Sequence, residues 1–404
     1  WIGYHFTPSI WKKFPNFSNV SAGRCQTPTL ALVNDRESEM NNQKHQLEIQ
    51  TELHTESDYK FQLQKPFLHE KEVMELFEKS KNFQHDILSI EEKPSIRNAP
   101  PPFTTSTIQQ YCSSTFHWST VTTMKLAQTL YEKGLITYHR TESTFVAKSF
   151  QEKAHEWIKN KYGENFIRTD CKKSKPGAHE CIRPTRVEKS EATLSSPEKR
   201  LLEIIWSRTI QYLMSACQLK NVIVTMNSPM LENRYTILFE HVEFQGYRIL
   251  QEGRAKQSSK HNLKHDFKKG QIVPWKSITC NESVRKKILR YNEGQLVKIL
   301  DEKKIGRPST FSSFVQKIQD REYVSKKNIE NPDIELSQWK FTWSNDLKKT
   351  KKTQKNYEKQ KLVLEKKGKD ICDFLLSEYQ KFFNYEYTAW MEHQLDLIAD
   401  GKLE

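Results

Sequence analysis

The spacing of apolar residues switches between two periods along this chain, and that alternation limits the fold more than any other feature. Leu47, Ile49 and Leu53, then Tyr59, Phe61 and Leu63, alternate with polar residues around Glu56-Ser57-Asp58, the pattern of a β-hairpin. A short helix near 73–77 and a strand near 87–90 follow, and Asn98-Ala99-Pro100-Pro101-Pro102 breaks the chain. Helical spacing then takes over at 103–219. One helix is expected from Thr105. A second runs from a Ser119 cap through Met124, Leu126, Ala127 and Leu130 to a stop at Gly134, and a third, strongly amphipathic, opens at Ser196-Pro197-Glu198. Leu135-Ile136-Thr137-Tyr138 reads as a strand, giving a winged-helix-like order. Strand spacing returns near 222–224, 235–239 and 247–250. Two strand blocks flanking a helical block predict one sheet domain built discontinuously, from 41–97 and 220–292, with a helical module at 98–219. Helices are expected at 1–40 and again across 293–404, with the Lys-rich stretch 348–369 as surface loop or frayed helix.

Composition narrows the function. The 404 residues allow two or three domains. A net charge of +14 points to an anionic partner, nucleic acid or an acidic membrane surface. Aromatic residues at 11% fit a folded chain rather than a disordered one. No apolar run approaches the roughly 18 residues of a membrane span, and the start has no signal-peptide pattern. The 7 cysteines are scattered without a CxxC, which argues against a disulfide scaffold, a zinc ribbon or a redox dithiol and fits a reduced, intracellular compartment. No GxxxxGK[ST] or GxGxxG motif offers an ATP or dinucleotide site. His261 and His265 have helical metal spacing, but in a Ser/Lys-rich stretch that reads as loop.

Four clusters carry reactive or anion-binding chemistry. In Gly134-Leu-Ile-Thr-Tyr-His-Arg-Thr-Glu-Ser143, Arg140 lies two residues after Tyr138, on the same side of an extended chain. A guanidinium there favours a phenolate and can clamp a phosphate. In Gly177-Ala-His-Glu-Cys-Ile-Arg-Pro-Thr185, His179 and Arg183 are suited to a phosphate, with Glu180 orienting one of them. In Gly306-Arg-Pro-Ser-Thr310, Ser309 is the expected helix cap beside Arg307, with Arg321 eleven residues on. In Ser21-Ala-Gly-Arg-Cys-Gln-Thr-Pro-Thr29, Arg24 sits in a small polar turn before a helix. Each cluster alone also fits a plain structural role: a core tyrosine with a surface arginine, a polar loop, a helix cap, a helix-entry turn.

Taken together, SAGRCQTPTLALV, PPPFTTSTIQQ, GLITYHRTEST, AHECIRPT, IGRPSTFSSFVQKIQDREYV and TAWMEHQLDLIADGK resemble the type IA DNA topoisomerases, in that family's order and over nearly the whole chain. SAGRCQTPTL leans towards the topoisomerase III branch, but the resemblance does not choose between I and III. It implies an α+β multi-domain, toroidal core with a strand-rich gate and winged-helix-like modules, the segments 1–40 and 293–404 forming a DNA-binding domain. It implies that Tyr138 attacks a phosphodiester of single-stranded or underwound DNA, leaving a 5′-phosphotyrosine and a free 3′-hydroxyl. Strand passage and religation then relax or decatenate DNA without ATP. Arg140 would position tyrosine and phosphate, Glu142 stands where the family usually has Asp, and His179 matches the histidine near the scissile phosphate. His139 falls at a variable position and is given no role. The strand-contacting set would be Arg24, Gln26, Thr141, Ser143, Glu180, Arg183, Arg307, Ser309, Thr310 and Arg321.

The sequence departs from the family at its beginning. The family carries an N-terminal TOPRIM domain whose acidic residues hold Mg2+, and this chain contains no D-x-D. The expectation is therefore that Mg2+ sits on a TOPRIM domain outside this chain, in cis on a longer protein or in trans. The acidic run Asp35–Glu39 reads as a solvated helix face. The competing expectation is a non-catalytic single-strand-binding remnant. A tyrosine recombinase, which wants HxxR before its tyrosine, fits far less well, since Tyr138 precedes His179 and the spacing is HxxxR.

Overall fold

The computed structural model describes residues 1–43, 46–170, 179–188, 193–251, 266–344, 346–399 and 401–403. The pair His261 and His265, and Gly177-Ala178 of the second cluster, lie outside them. Helices α1 (Ile2–Lys13) and α2 (Gln26–Asn42) lead into the hairpin β1 (Gln46–Thr55) and β2 (Lys60–Leu63), then α3 (Glu70–Ser80) and β3 (Ile87–Arg97). The helical module holds α4 (Thr105–Phe116), α5 (Thr120–Glu132), α6 (Lys148–Tyr162) and α7 (Ser196–Leu213). The chain returns through β4 (Cys217–Met226), β5 (Tyr235–Phe244) and β6 (Trp275–Arg285), and then α8 (Glu293–Glu302) and α9 (Phe311–Asp320). It ends with β7 (Val324–Thr342), β8 (Leu347–Leu364), α10 (Lys366–Phe383) and α11 (Tyr385–Ala399).

All eight strands join one antiparallel sheet in the order β3-β4-β5-β2-β1-β6-β7-β8. The discontinuous sheet expected from the two strand blocks therefore forms. Its core places Leu53 of β1 opposite Phe61 of β2 and Ile278 of β6. The apolar face of α3, with Val73, Leu76 and Phe77, packs into the same cluster as Trp339 and Phe341 of β7.

Three expectations need correction. The segment 293–404 is not uniformly helical, because β7 and β8 form a long hairpin through it, so 348–369 is mostly strand rather than loop or frayed helix. The lysines of β8 between Leu347 and Lys355 stay exposed on both faces, which removed the period-2 signal. Residues 246–250 form a 3₁₀ turn and not a strand. Gly246 has φ +50°, and a Cβ there would stand 2.3 Å from the Ala216 carbonyl oxygen. The run Leu135–Tyr138 makes only an isolated bridge, Ile136 with Pro184.

The helical module meets the α8–α9 region through polar and small groups. Glu293, 4% exposed, accepts hydrogen bonds at Oε2 from Thr120 N (2.7 Å) and Thr120 Oγ1 (3.2 Å), and pairs through Oε1 with Lys326 (3.0 Å). Gly294 N donates to Ser113 Oγ at 3.2 Å, and a Cβ on Gly294 would come within 2.7 Å of Ser113 Cβ. The apolar clusters on the two sides of this contact are separate. Among the described residues no helix is long and apolar enough to cross a membrane.

Leu53 is fully buried and Lys351 fully on the surface of its strand. Leu53→Ala is expected to lower unfolding free energy by about 2–5 kcal/mol, and Lys351→Ala to stay within about 0.5 kcal/mol. Urea denaturation of both variants checks the contrast.

Candidate active site

Tyr138 lies on a short extended strip fastened on both sides. The strip begins where α5 ends, at Gly134 with φ +68°. Thr137 N donates to the Arg183 carbonyl (2.9 Å), Thr137 Oγ1 donates to the Cys181 carbonyl (2.6 Å), and Arg183 N donates back to Thr137 Oγ1 (3.0 Å). Beyond the tyrosine, Thr105 at the start of α4 takes over. Its Oγ1 donates to the carbonyls of His139 (2.8 Å) and Thr141 (3.1 Å) and accepts from Thr141 N (2.8 Å). Thr105 N, one of the N–H groups that a first helical turn leaves unpaired, donates to the Thr141 carbonyl (2.9 Å). The backbone around Tyr138 is thus held while its side chain stays half-exposed.

Aromatic and imidazole rings surround that side chain. His179 stands 4.9 Å from the Tyr138 ring, centroid to centroid, Tyr131 5.3 Å and His139 5.4 Å. His179 is exposed and His139 is 1% exposed, with no hydrogen-bond partner for either ring nitrogen among the described residues. Burial, aided by the Arg140 charge, pushes His139 down to about 4, so its imidazole is neutral. Arg140 and Glu142 are exposed, and neither makes a hydrogen bond or ion pair among the described residues. Thr141 and Ser143 serve the strip itself: Thr141 Oγ1 accepts from Ser143 N (3.0 Å) and Ser143 Oγ from Phe145 N (3.1 Å).

Glu180 and Arg183 form a fork-to-fork pair at 2.8 and 2.9 Å, and Glu180 also accepts from Ala147 N at 2.8 Å. Burial alone would raise the Glu180 carboxyl, but the bonds from Arg183 and Ala147 hold it below its usual value. The Arg183 guanidinium also lies over the Phe150 ring, 4.4 Å from its centroid. Both residues are therefore committed to fastening the 179–185 segment beside Tyr138, and His179 is the member of this cluster left facing solvent.

The other expected residues gather elsewhere. Arg24 Nη2 lies 2.5 Å and Arg307 Nε 3.3 Å from the carboxylate of Glu392, which is 5% exposed on α11, and Arg307 also pairs with Asp396. Arg24 Nη1 is buried without a partner among the described residues. Gln26 is buried and closes its own turn, donating to the Ser21 carbonyl at 3.0 Å. Ser309 is not the cap of α9. Thr310 occupies that position, its Oγ1 accepting from Arg307 N (3.0 Å) and donating to the Arg307 carbonyl (2.9 Å), while Ser309 is exposed. Arg321 donates to the carbonyl and side-chain oxygens of Asn19 at 3.2 and 3.3 Å. A cleft of about 460 Å³ opens here, lined by Ser21, Arg24, Gln26, Phe314, Lys317 and Arg321. No hydrogen bond, ion pair or ring contact among the described residues joins this cluster directly to Tyr138, although α5, which leads to Tyr138, packs on α9.

Sequence reasoning passed over Thr105, Thr137, Tyr131, Lys317 and Glu392. Thr105 and Glu392 stand inside the quoted motifs PPPFTTSTIQQ and TAWMEHQLDLIADGK, so the signal was present but unassigned. Among the described residues no three His, Cys, Asp or Glu side chains converge to hold a metal.

Comparison with known proteins places this geometry in a class. The profile of a family described as DNA topoisomerase matches residues 1–334. The DNA topoisomerase 1 of Rickettsia bellii is 29% identical across the whole of this chain, which covers 50% of that protein. That of Rickettsia felis is 30% identical, with 52% of it covered, and that of Aquifex aeolicus 29% identical, with 70% covered. Full-length topoisomerase I from Thermotoga maritima superposes with a TM-score of 0.80 at 27% identity, over 100% of this chain and 63% of that one. The chain therefore belongs to the type IA DNA topoisomerases, and it spans about half the length of the first curated relatives it matches.

Removing the carboxylate that two arginines share leaves buried positive charge unpaired. Glu392→Ala is expected to lower stability by about 3–5 kcal/mol. The midpoint and slope of chemical denaturation, compared with the conservative Glu392→Gln, measure it.

Proposed function

We propose that this chain is the strand-cleaving core of a DNA topoisomerase acting on single-stranded or underwound DNA inside the cell. The observation that carries the reading is the fastened strip: Tyr138 half-exposed, with the His179 ring 4.9 Å away and the unpaired Arg140 guanidinium two residues on. In the proposed step Tyr138 Oη attacks the phosphorus of one phosphodiester. The new bond is a 5′-phosphotyrosine, the bond to the 3′ oxygen breaks, and that oxygen leaves as a hydroxyl after taking up a proton. The number of phosphodiester bonds is conserved, so religation by the reverse attack needs no ATP.

Phosphoryl transfer depends mainly on positioning and on neutralising oxygen charge. The threonine-fastened backbone supplies the first. Arg140, free to fork onto two phosphate oxygens, and His179 supply the second. Glu142, two residues beyond Arg140, adds an exposed carboxylate to the same strip. Mg2+ is expected on a TOPRIM domain, in cis or in trans. The gate sheet, entered and left through the two ends of the helical module, would carry Tyr138 away from the α8–α9 region to pass a second strand. Lys317 and Arg321, lining the cleft beside Arg24, are the better candidates for phosphate contacts, since Arg307 is occupied by Glu392 and Asp396.

An oligonucleotide incubated with Mg2+ and then denatured tests the chemistry. A covalent adduct is expected once a TOPRIM fragment is supplied, and Tyr138→Phe should abolish it. An adduct that survives Tyr138→Phe removes the nucleophile. Strand binding without adduct in any arm leaves a binding module only. For the groove, Arg321→Ala is expected to reduce the salt slope of single-strand affinity by about 0.7, one phosphate contact. An unchanged slope takes Arg321 out of the strand path.

A further inference from the structure

A second cavity, of about 330 Å³, lies away from Tyr138 where the helical module joins the sheet. Its walls come from the linker before α4, from α4 and α7, and from the turn after β5. Pro100 belongs to the stretch between β3 and α4, and Leu250 and Gln251 to the 3₁₀ turn after β5. Tyr111 is on α4, and Ser207, Arg208 and Gln211 are on α7. The volume is at the small end of ligand pockets, which run from about 300 to 1,000 Å³.

The charge in this cavity is unusual. The Arg208 guanidinium carbon lies over the Phe103 ring, 4.5 Å from its centroid, and 5.6 Å from that of Tyr111. Burial lowers its pKa, and no carboxylate pairs with it: among the described residues Arg208 makes no hydrogen bond or ion pair. Arg183 and Arg290, by contrast, are matched by carboxylates, Arg183 by Glu180 and Arg290 by Glu37 and Glu358. A cation held partly out of water with no counter-charge is a costly arrangement, and an anion entering the cavity relieves it. The contact with Phe103 leaves the guanidinium N–H donors free for oxygens. The polar neighbours form a chain: Gln211 Nε2 donates to Ser207 Oγ at 2.8 Å, and Gln251 Nε2 to Gln211 Oε1 at 3.3 Å. The Ser207 hydroxyl hydrogen remains available as one more donor.

We infer that this cavity is a phosphate-binding site, in which Arg208 forks onto two oxygens of a phosphoryl group and Ser207 donates to a third. The group comes either from a small free phosphate ester or from one backbone phosphate of a DNA strand lying along the junction. The site stands apart from the Tyr138 chemistry. Its lining from the helical module and from the turn after β5 means that an occupant touches both.

Titration calorimetry on the whole chain tests this with three probes: inorganic phosphate, a 5′-mononucleotide and a short oligothymidylate. Arg208→Met keeps the length and apolar body of the side chain and removes the fork. It should bind at least one probe roughly ten-fold or more weakly, the loss of a charge-assisted fork. Lys199→Met, an exposed cation on the same helix, should change affinity by less than about two-fold. Loss for phosphate and mononucleotide but not oligothymidylate identifies a free ester as the source. Loss for oligothymidylate alone identifies the strand backbone. No binding of any probe by the unsubstituted chain, or equal binding by Arg208→Met, overturns the site. Thermal melting verifies that Arg208→Met folds. If it does not, Arg208→Lys, which keeps the charge but not the planar fork, must show the same weakening or the inference fails.

Discussion

The β1–β6 ladder is the constraint on which the other elements depend. Ten residues of β1 pair with a strand about 230 positions later in the chain, from Gln46 opposite Arg285 to Thr55 opposite Trp275. Closing so long a loop is entropically unfavourable, and only a ladder backed by apolar burial at Leu53, Phe61 and Ile278 offsets it. Between these two strands the chain runs through β2 to β5 of the same sheet, and β3 pairs with β4 across the helical module. The helical module is therefore an excursion with two fixed ends, at 98–102 and at the turn from α7 into β4. Tyr138 rides on that excursion, and its position is set by where the sheet releases the chain.

Within the module the site is built by threonines more than by charges. Thr137 and Thr105 fix the carbonyls and amides on either side of Tyr138 through short local bonds, and neither needs a partner that titrates. The charged residues divide by contrast into two groups. Glu180, Arg183, Arg24, Arg307 and Glu392 neutralise one another in partly buried pairs and stiffen the scaffold. The side chains of Arg140, Glu142, His179 and Lys317 are exposed and make no hydrogen bond or ion pair among the described residues. A net charge of +14 thus overstates the charge on offer, because many of the arginines that suggested a phosphate path are already engaged.

The sequence made some levels legible and concealed others for identifiable reasons. The hairpin 46–63, the helices after Thr104 and Ser119, and the helix opening at Ser196-Pro197-Glu198 were readable because each rests on spacing or on a local bond within four residues. Strand β8 was hidden because lysines occupy both faces between Leu347 and Lys355, so its conformation is dictated by β7 and not by its own pattern. The pairing of Arg307 and Arg24 with Glu392 was hidden because that counter-ion lies far along the chain, on α11, beyond the reach of any local rule. The expected cap at Ser309 moved by one residue because Thr310 could bond Arg307 in both directions. The motif order pointed to the family directly, and the fold and the comparisons bear that out.

The contact between the helical module and α8 has a mechanical consequence. Glu293, Thr120, Ser113 and Gly294 meet through hydrogen bonds and small side chains, while the apolar clusters behind them never merge. Pulling such a seam apart wets groups that water satisfies as well as the protein does, and it uncovers little oil. Resealing it requires only that one carboxylate find the first turn of α5 and Lys326 again. A joint of this kind behaves like a clasp rather than a weld: it holds one registered position at rest, parts without unfolding either side, and closes back to the same place.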